Sequence, residues 1–374
     1  MVRKILKPPI KYPGGKTPIA KEIKALMKGI EHTRYLEAFF GGGSVLLAKD
    51  PEGIVEIAND IYQHNYEFWA TLRDKDMFSE FVRLCHATPF CETTWKKALE
   101  MLSSNWGNQI ERAHAFFISS RLSRQGSNCF ATPSKRPRRG QNEFTSAYWS
   151  AVDRLPELHE RLAKVLFLCR DAVQVIESQD DSDRLIYADP PYIESTRVSK
   201  KMYAHEMDDE DHENLVDVLL ESKSKVLLSG YPGSERIYSR LEENGWGVWE
   251  RSVAKHSSSR NTKPRTFELI WANCELNTVS AQKWIRRKAT KVQFSDIHLH
   301  SENLQMSSSA LKEPLPIPRP DRMKGSSESI SGANEFAVEV EACPLPGLPP
   351  APSKSSEPWF KLKPLLKLTS FTQE

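Results

Sequence analysis

The chain has 374 residues, 39% of them hydrophobic and 27% charged, with a formal net charge of +3. These are globular values with room for two ordinary domains or one large one with additions; no stretch approaches an apolar membrane span, residues 1–10 lack the core of a secretory signal, and the charge is too small to mark a general polyanion binder. The six cysteines (Cys85, Cys91, Cys129, Cys169, Cys274 and Cys343) form no C-x-x-C pair and no histidine cluster accompanies them, so neither disulfides nor a metal is expected, and the expected compartment is the cytoplasm.

Tyr12-Pro13-Gly14-Gly15-Lys16 reads as a turn ahead of a helix marked by Ile19, Ile23, Leu26 and Met27. Gly14 and Gly15 let a ligand approach bare backbone, and Lys16 offers donors to an anion. Arg34 to Phe40 is the first strand, carrying Glu37 and Phe39, and it runs into Gly41-Gly42-Gly43-Ser44 and a helix through Val45, Leu46, Leu47 and Ala48. Strand, glycine loop and helix make the entry to a doubly wound nucleotide-binding fold. No Gly-Lys-Ser/Thr follows and the dinucleotide spacing is missed, so the predicted ligand is an adenosyl compound without a polyphosphate. Ile54 to Ala58 is the next strand, closing on Asn59-Asp60. An acid there suits ribose hydroxyls, and it equally suits capping a helix from Tyr62 to Leu72.

From Asp74 to about Leu158 the alternation gives way to helical, aromatic and basic sequence, read as a separate inserted subdomain. Between Ser119 and Gly140 lie Arg121, Arg124, Lys135, Arg136, Arg138 and Arg139 with no acidic residue. Interleaved with Gln125, Ser127, Asn128 and Phe130, they suit phosphate contact with base-edge readout or intercalation. The other aromatic side chains of this stretch fit a helical core at least as well.

Alternation resumes at Val165 to Cys169, and Asp171 at its end is either a partner for an adenine amino group or a turn carboxylate. Leu185 to Ala188 then has the makings of a buried parallel strand that must stop at Asp189-Pro190-Pro191-Tyr192. The prolines fix the Asp189 carboxylate and the Pro190 carbonyl in one relation, beside an exposed-looking ring at Tyr192. Two rigid acceptors and an aromatic face are what an exocyclic amino group on a flat heterocycle requires. Read alone, the same residues also make a proline turn with a helix-capping aspartate.

After a polar loop to His205 the sequence predicts a helix through Leu215, Val218, Leu219 and Leu220, a strand at Lys225 to Ser229, a helix to Asn244, and a hairpin pairing Phe267 to Trp271 with the region of Val248. Composition changes from about Glu275. Eleven of the 24 prolines follow Leu311, so a disordered tail is expected over 275–374, with a basic amphipathic patch at Trp284 to Lys291.

In this order, Tyr12-Pro13-Gly14-Gly15-Lys16, Phe39-Phe40-Gly41-Gly42-Gly43-Ser44, Asn59-Asp60-Ile61 and Asp189-Pro190-Pro191-Tyr192 give the chain a resemblance to the Dam-like, D12 class of DNA adenine-N6 methyltransferases, over roughly Ile10 to Asn273. The resemblance implies an α/β fold with a doubly wound, mostly parallel Rossmann-like sheet, divided as catalytic domain 1–73, helical target-recognition insert 74–158, catalytic domain 159–274 and tail 275–374. It implies S-adenosyl-L-methionine as cofactor, contacted by Tyr12, Lys16, Asp60 and Asp189; with the turn, loop and strand-end readings above, the expected cofactor-binding residues are Tyr12, Gly14, Gly15, Lys16, Glu37, Phe39, Gly41, Gly43, Asp60, Asp171 and Asp189. Double-stranded DNA is the expected partner, met by Lys11, Arg121, Arg124, Asn128, Lys135, Arg136, Arg138 and Arg139. Asp189, Pro190, Pro191 and Tyr192 would carry catalysis on a flipped-out adenine, with Tyr192 stacked on the base.

Ser120-Arg121-Leu122-Ser123 departs from the Asn-Arg-rich stretch of Dam-like members, which detaches the expectation of GATC specificity from that of the chemistry. Cytosine N4 or RNA as methyl acceptor, and a non-catalytic DNA-binding relative, stay open at this level, as does service beside a cognate restriction endonuclease. Monomer is the default expectation, in the cytoplasm and associated with the nucleoid.

Overall fold

The computed structural model describes residues 5–124, 126, 129–131, 135–194, 204–254 and 265–287. All of them belong to one unit, Met1–Gln293. The first βα repeats are α1 (Ala20–Leu26), β1 (Arg34–Glu37), α2 (Ser44–Ala48), β2 (Val55–Asn59) and α3 (Gln63–Arg73). The insertion comprises α4 (Lys75–Ala87), α5 (Glu92–Ser104), α6 (Gln109–Arg121), a small hairpin of β3 (Pro137–Arg138) and β4 (Gln141–Asn142), α7 (Glu143–Val152) and α8 (Leu155–Leu162). The chain then returns through β5 (Leu166–Leu168), α9 (Ala172–Ser178), β6 (Arg184–Ala188), α10 (Asp209–Glu221), β7 (Lys225–Gly230), α11 (Glu235–Glu243), β8 (Gly247–Ala254), β9 (Arg265–Ala272) and β10 (Ile285–Arg286).

The main sheet runs β10-β8-β9-β7-β6-β1-β2-β5. From β7 to β5 the pairs are parallel, and β9, β8 and β10 add on antiparallel at the other end. β1 continues outward to β2 while β6 continues the other way to β7, so the order reverses between β1 and β6. A crevice opens beyond the carboxyl ends of strands at such a reversal. Register brings Glu37 opposite Tyr187, so the glycine loop after β1 and Asp189 after β6 leave the sheet side by side.

Both faces of the sheet are covered, and β6 shows why its sequence is apolar throughout. Leu185 and Tyr187 face a core shared with α1, α2 and α3, and Ile186 and Ala188 face one shared with α9, α10 and α11. The insertion shares the first of these cores instead of forming a separate globule, because Phe68 of α3 packs against Phe81, Phe116 and Phe117, while its neighbour Trp69 packs on Phe40 and Phe167. Its aromatic residues Phe81, Trp95, Phe116, Phe117 and Tyr148 are core residues. Phe130 is half-buried against Phe90 and Trp95.

The fold also extends past the expected tail boundary at 274/275. Leu276, Ala281 and Trp284 are buried, and Ile285 and Arg286 of β10 pair with β8 at the sheet's edge, so the fold continues past the expected boundary. Trp284, expected in a disordered tail as part of a basic amphipathic patch, is one of the largest fully buried side chains. The rest of the expected tail, 288–374, lies outside the described residues. No helix among the described residues is long and apolar enough to cross a membrane.

Candidate active site

The glycine loop is shaped by two residues with left-handed backbone. Gly41 has φ +49 and Gly43 has φ +66, a region that costs any side-chain-bearing residue. Space is closed as well, since a Cβ on Gly43 would lie 2.5 Å from Phe40 Cζ and one on Gly41 would lie 2.9 Å from Tyr12 Cε1. Gly43→Ala is therefore expected to lower the free energy of unfolding by about 2 kcal/mol, read from denaturant midpoints at constant slope. An unchanged midpoint would contradict the close packing of this loop.

Asp60 at the end of β2 ties the loop to the next helix. Its Oδ2 accepts from the Gly41 amide at 2.7 Å and from Asn65 Nδ2 at 2.7 Å, and its Oδ1 accepts from the Tyr62 amide at 2.9 Å. A carboxylate has about four lone-pair sites, so one remains for a ligand hydroxyl. Burial pushes the Asp60 carboxyl up, and these bonds hold it back. Asp171 is the N-cap of α9, its Oδ1 accepting from the Gln174 amide at 3.1 Å, and it also lines the same cavity as Asp60.

That cavity, of about 250 Å³, lies at the β1/β6 reversal. All eleven residues expected to hold a cofactor line it: Tyr12, Gly14, Gly15 and Lys16 from the first turn, Glu37, Phe39, Gly41 and Gly43 around the glycine loop, and Asp60, Asp171 and Asp189 from three other strand ends. Tyr62, His205, Met207, Asp211 and Asn214 line it too and were not foreseen. The His205 ring lies 5.9 Å from that of Tyr62, at the edge nearest Asp60. Glu37 is buried and accepts from Tyr35 Oη at 2.8 Å; burial, then the Glu56 charge, push its carboxyl up to about 8 against that hydrogen bond.

At the floor of the cavity a buried lysine meets two carboxylates. Lys16 Nζ donates to Asp189 Oδ1 at 2.7 Å, to the Gly14 carbonyl at 3.2 Å and to Tyr192 Oη, and it lies 3.4 Å from Glu268 Oε1. Burial opposes the charge on Lys16, yet Asp189 and Glu268 hold its pKa well above the ordinary lysine range. Burial pushes both carboxyls up, and Lys16 pulls both back. One cation thus serves two carboxylates.

Asp189 and Pro191 line the cavity, and Pro190 between them is buried. Tyr192 does not carry the exposed ring that its position suggested. It is 4% exposed, its ring is 4.2 Å from that of Tyr231 at 41°, and its hydroxyl donates to Glu268 Oε1 at 2.7 Å. The physical reason is the unforeseen carboxylate, which draws the polar end of the ring inward. Glu268 carried a signal in the sequence, being a lone charge against the apolar run Leu269-Ile270-Trp271; a charge is rarely fully buried unless paired.

The basic residues divide into two groups. Arg121 is buried in the insertion with its guanidinium donating to the Ala147 carbonyl, and burial, then the Arg154 charge, push it down to about 10. It is a packing residue and leaves the DNA-facing set. Lys11 is half-buried, with Nζ donating to the Arg121 carbonyl at 3.0 Å and the Ser123 carbonyl at 2.6 Å; burial, then Arg121, lower it to about 8. It braces the first turn against the insertion. Arg124, Lys135, Arg136, Arg138 and Arg139 are exposed, the last two on the β3/β4 hairpin, which turns at Arg139 (φ +53) and Gly140 (φ +72). Asn128 lies outside the described residues. Among the described residues no group of three or more His, Cys, Asp or Glu side chains could hold a metal ion.

Comparison with known families places residues 12–252 within one described as D12 class N6 adenine-specific DNA methyltransferase. No curated protein matches the chain.

Proposed function

Because the chain belongs to the D12 class N6 adenine-specific DNA methyltransferases, S-adenosylmethionine-dependent enzymes that act on DNA, we propose that the cavity at the β1/β6 reversal binds S-adenosylmethionine and that Asp189-Pro190-Pro191-Tyr192 presents N6 of an adenine turned out of the duplex to its methyl. The observation that carries this reading is the convergence of eleven residues, from the first turn and from the ends of four strands, on one cavity that reaches Asp189. The lining fits an adenosyl compound: bare backbone at Gly41 and Gly43, a carboxylate with a spare lone pair at Asp60, and a second carboxylate at Asp171.

When bound, S-adenosylmethionine supplies an electrophilic methyl on a sulfonium centre. The residues of the chain then have to orient an amine and accept the single proton it loses as the N–C bond forms and the S–CH3 bond breaks, which would leave S-adenosylhomocysteine. The Asp189 oxygen not engaged by Lys16 and the Pro190 carbonyl accept from the two N6 hydrogens, which raises electron density on nitrogen and aims its lone pair at the methyl. Lys16 keeps Asp189 in one orientation through its 2.7 Å bond. The Tyr192 and Tyr231 rings part to admit the base, after which Tyr192 stacks on it. A base inside a duplex cannot reach such a pocket, so flipping is part of the reading.

Permanganate, which oxidises thymines that have lost their stacking, tests the flip without knowledge of the recognition site. With S-adenosylhomocysteine and plasmid DNA, the protein is expected to make a sequence-defined subset of thymines reactive. Uniformly protected thymines under saturating binding would contradict base extrusion.

We also assign the phosphate contacts to the exposed hairpin side. Replacing Arg138 and Arg139 together with alanine is expected to weaken DNA binding across all sequences and to reduce the slope of log K against log salt by about 2. Binding isotherms at several salt concentrations check this, and an unchanged slope would place the DNA elsewhere.

A further inference from the structure

Glu268 is the least expected group at the site. It lies on β9, separated from the Asp189 strand by β7, and it is 3% exposed. Along β9, Ile270 faces the core shared with Tyr187, Leu227 and Trp249, and Glu268, two residues earlier, points to the same side. An apolar residue would complete that surface. A carboxylate instead carries a desolvation cost that folding alone does not require.

Its partners come from two other segments. Tyr192 Oη donates to Glu268 Oε1 at 2.7 Å, and Lys16 Nζ lies 3.4 Å from the same oxygen. Tyr192 has a single hydroxyl proton, and the carboxylates of both Glu268 and Asp189 lie within its reach. The hydroxyl oxygen accepts from Lys16, which also donates to Asp189. Glu268 thus competes with Asp189 for the Tyr192 proton. Without it the proton goes to Asp189 alone and occupies a lone pair on which the amino group depends.

We infer that Glu268 is a positioning residue for methyl transfer: it orients the Tyr192 hydroxyl and shares Lys16, so that Asp189 meets the target amine as an acceptor with its ring partner in place. This inference rests on the assignment of Asp189 and Tyr192 to the reacting base, and it adds a residue beyond the stretch 12–252 that matches the family. A residue of this kind acts on turnover more than on affinity, because both ligands can bind a site whose hydrogen bonds are misdirected.

Glu268→Ala and Glu268→Gln in the full-length protein separate positioning from simple core support. The alanine variant is expected to lose about 100-fold in kcat with KM for cofactor and DNA changed less than about threefold, and glutamine, which restores an acceptor of the same length, is expected to recover about tenfold of that loss. If the alanine variant does not fold, the glutamine variant combined with Tyr192→Phe carries the test. Once the hydroxyl is gone, the part of the Glu268→Gln loss that runs through Tyr192 disappears and only the part that runs through Lys16 remains, so the two losses are expected to combine to clearly less than their sum.

A kcat for Glu268→Gln and Glu268→Ala within about threefold of the parent would overturn the inference, as would losses that add fully to those of Tyr192→Phe. Asp189→Ala, assayed in parallel, keeps the two ideas apart. An inactive Asp189→Ala beside a fully active Glu268→Ala rejects Glu268 alone, and an active Asp189→Ala rejects the site itself.

Discussion

Asp189→Ala is expected to reduce single-turnover methyl transfer at least about a thousandfold while leaving the protein folded. Asp189 is half-buried at the end of a strand whose other residues are all buried, so its backbone stays fixed by β1 and β7 when the side chain is shortened. Two effects combine in the loss. The amine loses its one charged acceptor, and Lys16 loses its 2.7 Å partner and is left to Tyr192 and Glu268. Asp189→Asn separates these effects, because it keeps the volume and one acceptor but presents a donor and no charge. It is expected to fall at least about 100-fold, and cofactor binding should weaken far less than turnover in both variants. A rapid-quench assay with cofactor and DNA pre-bound measures the step directly, and turnover within tenfold of the parent would remove Asp189 from the chemistry.

The largest effect on stability is expected at Glu56. On β2 this carboxylate receives both arms of the Arg161 guanidinium, at 2.6 and 2.8 Å, and the two side chains are 3% and 4% exposed. Arg161, on α8, also donates to the Leu46 carbonyl of α2 at 2.9 Å. One guanidinium therefore fastens the helix that follows the glycine loop to the sheet and to the end of the insertion. Glu56→Ala leaves that cation buried with a single neutral partner, at a cost of about 3–5 kcal/mol, measured by urea unfolding at neutral pH. The double replacement Glu56→Leu with Arg161→Met should recover most of the loss, because the burial penalty of the pair disappears with the pair. A single-variant loss below about 1 kcal/mol would mean that the guanidinium finds water or another partner.

Much of the catalytic frame could be read from the sequence because its signals are local. The apolar run Leu185 to Ala188 ending at Asp189, the glycine loop after Phe40, and the acids Asp60 and Asp171 at strand ends each announce themselves within a few residues, and the doubly wound topology then brings them together. What could not be read depends on distant pairing. Glu268 reaches the site only through the antiparallel addition of β9 to β7, with Gly230 opposite Leu269, and no local pattern encodes that register. The burial of Tyr192 follows from Glu268, which is why the ring is not exposed as its place after Pro191 suggests.

Arg121 looked like its basic neighbours because charge is visible in sequence and depth is not; α6 turns it toward Ala147 while Arg124 and the hairpin arginines stay outside. Trp284 misled in the opposite sense. Basic neighbours suggested a surface patch, while the indole packs into the core and the chain beyond it pairs with β8.

The central claim is that this site methylates adenine at N6. The most direct measurement is to incubate the protein and its Asp189→Ala variant with S-adenosylmethionine labelled in the methyl group and unmethylated genomic DNA, digest to nucleosides and separate them. The predicted result is label in N6-methyldeoxyadenosine alone with the parent and background counts with the variant. Label in N4-methyldeoxycytidine, or equal N6 label from both proteins, would contradict it.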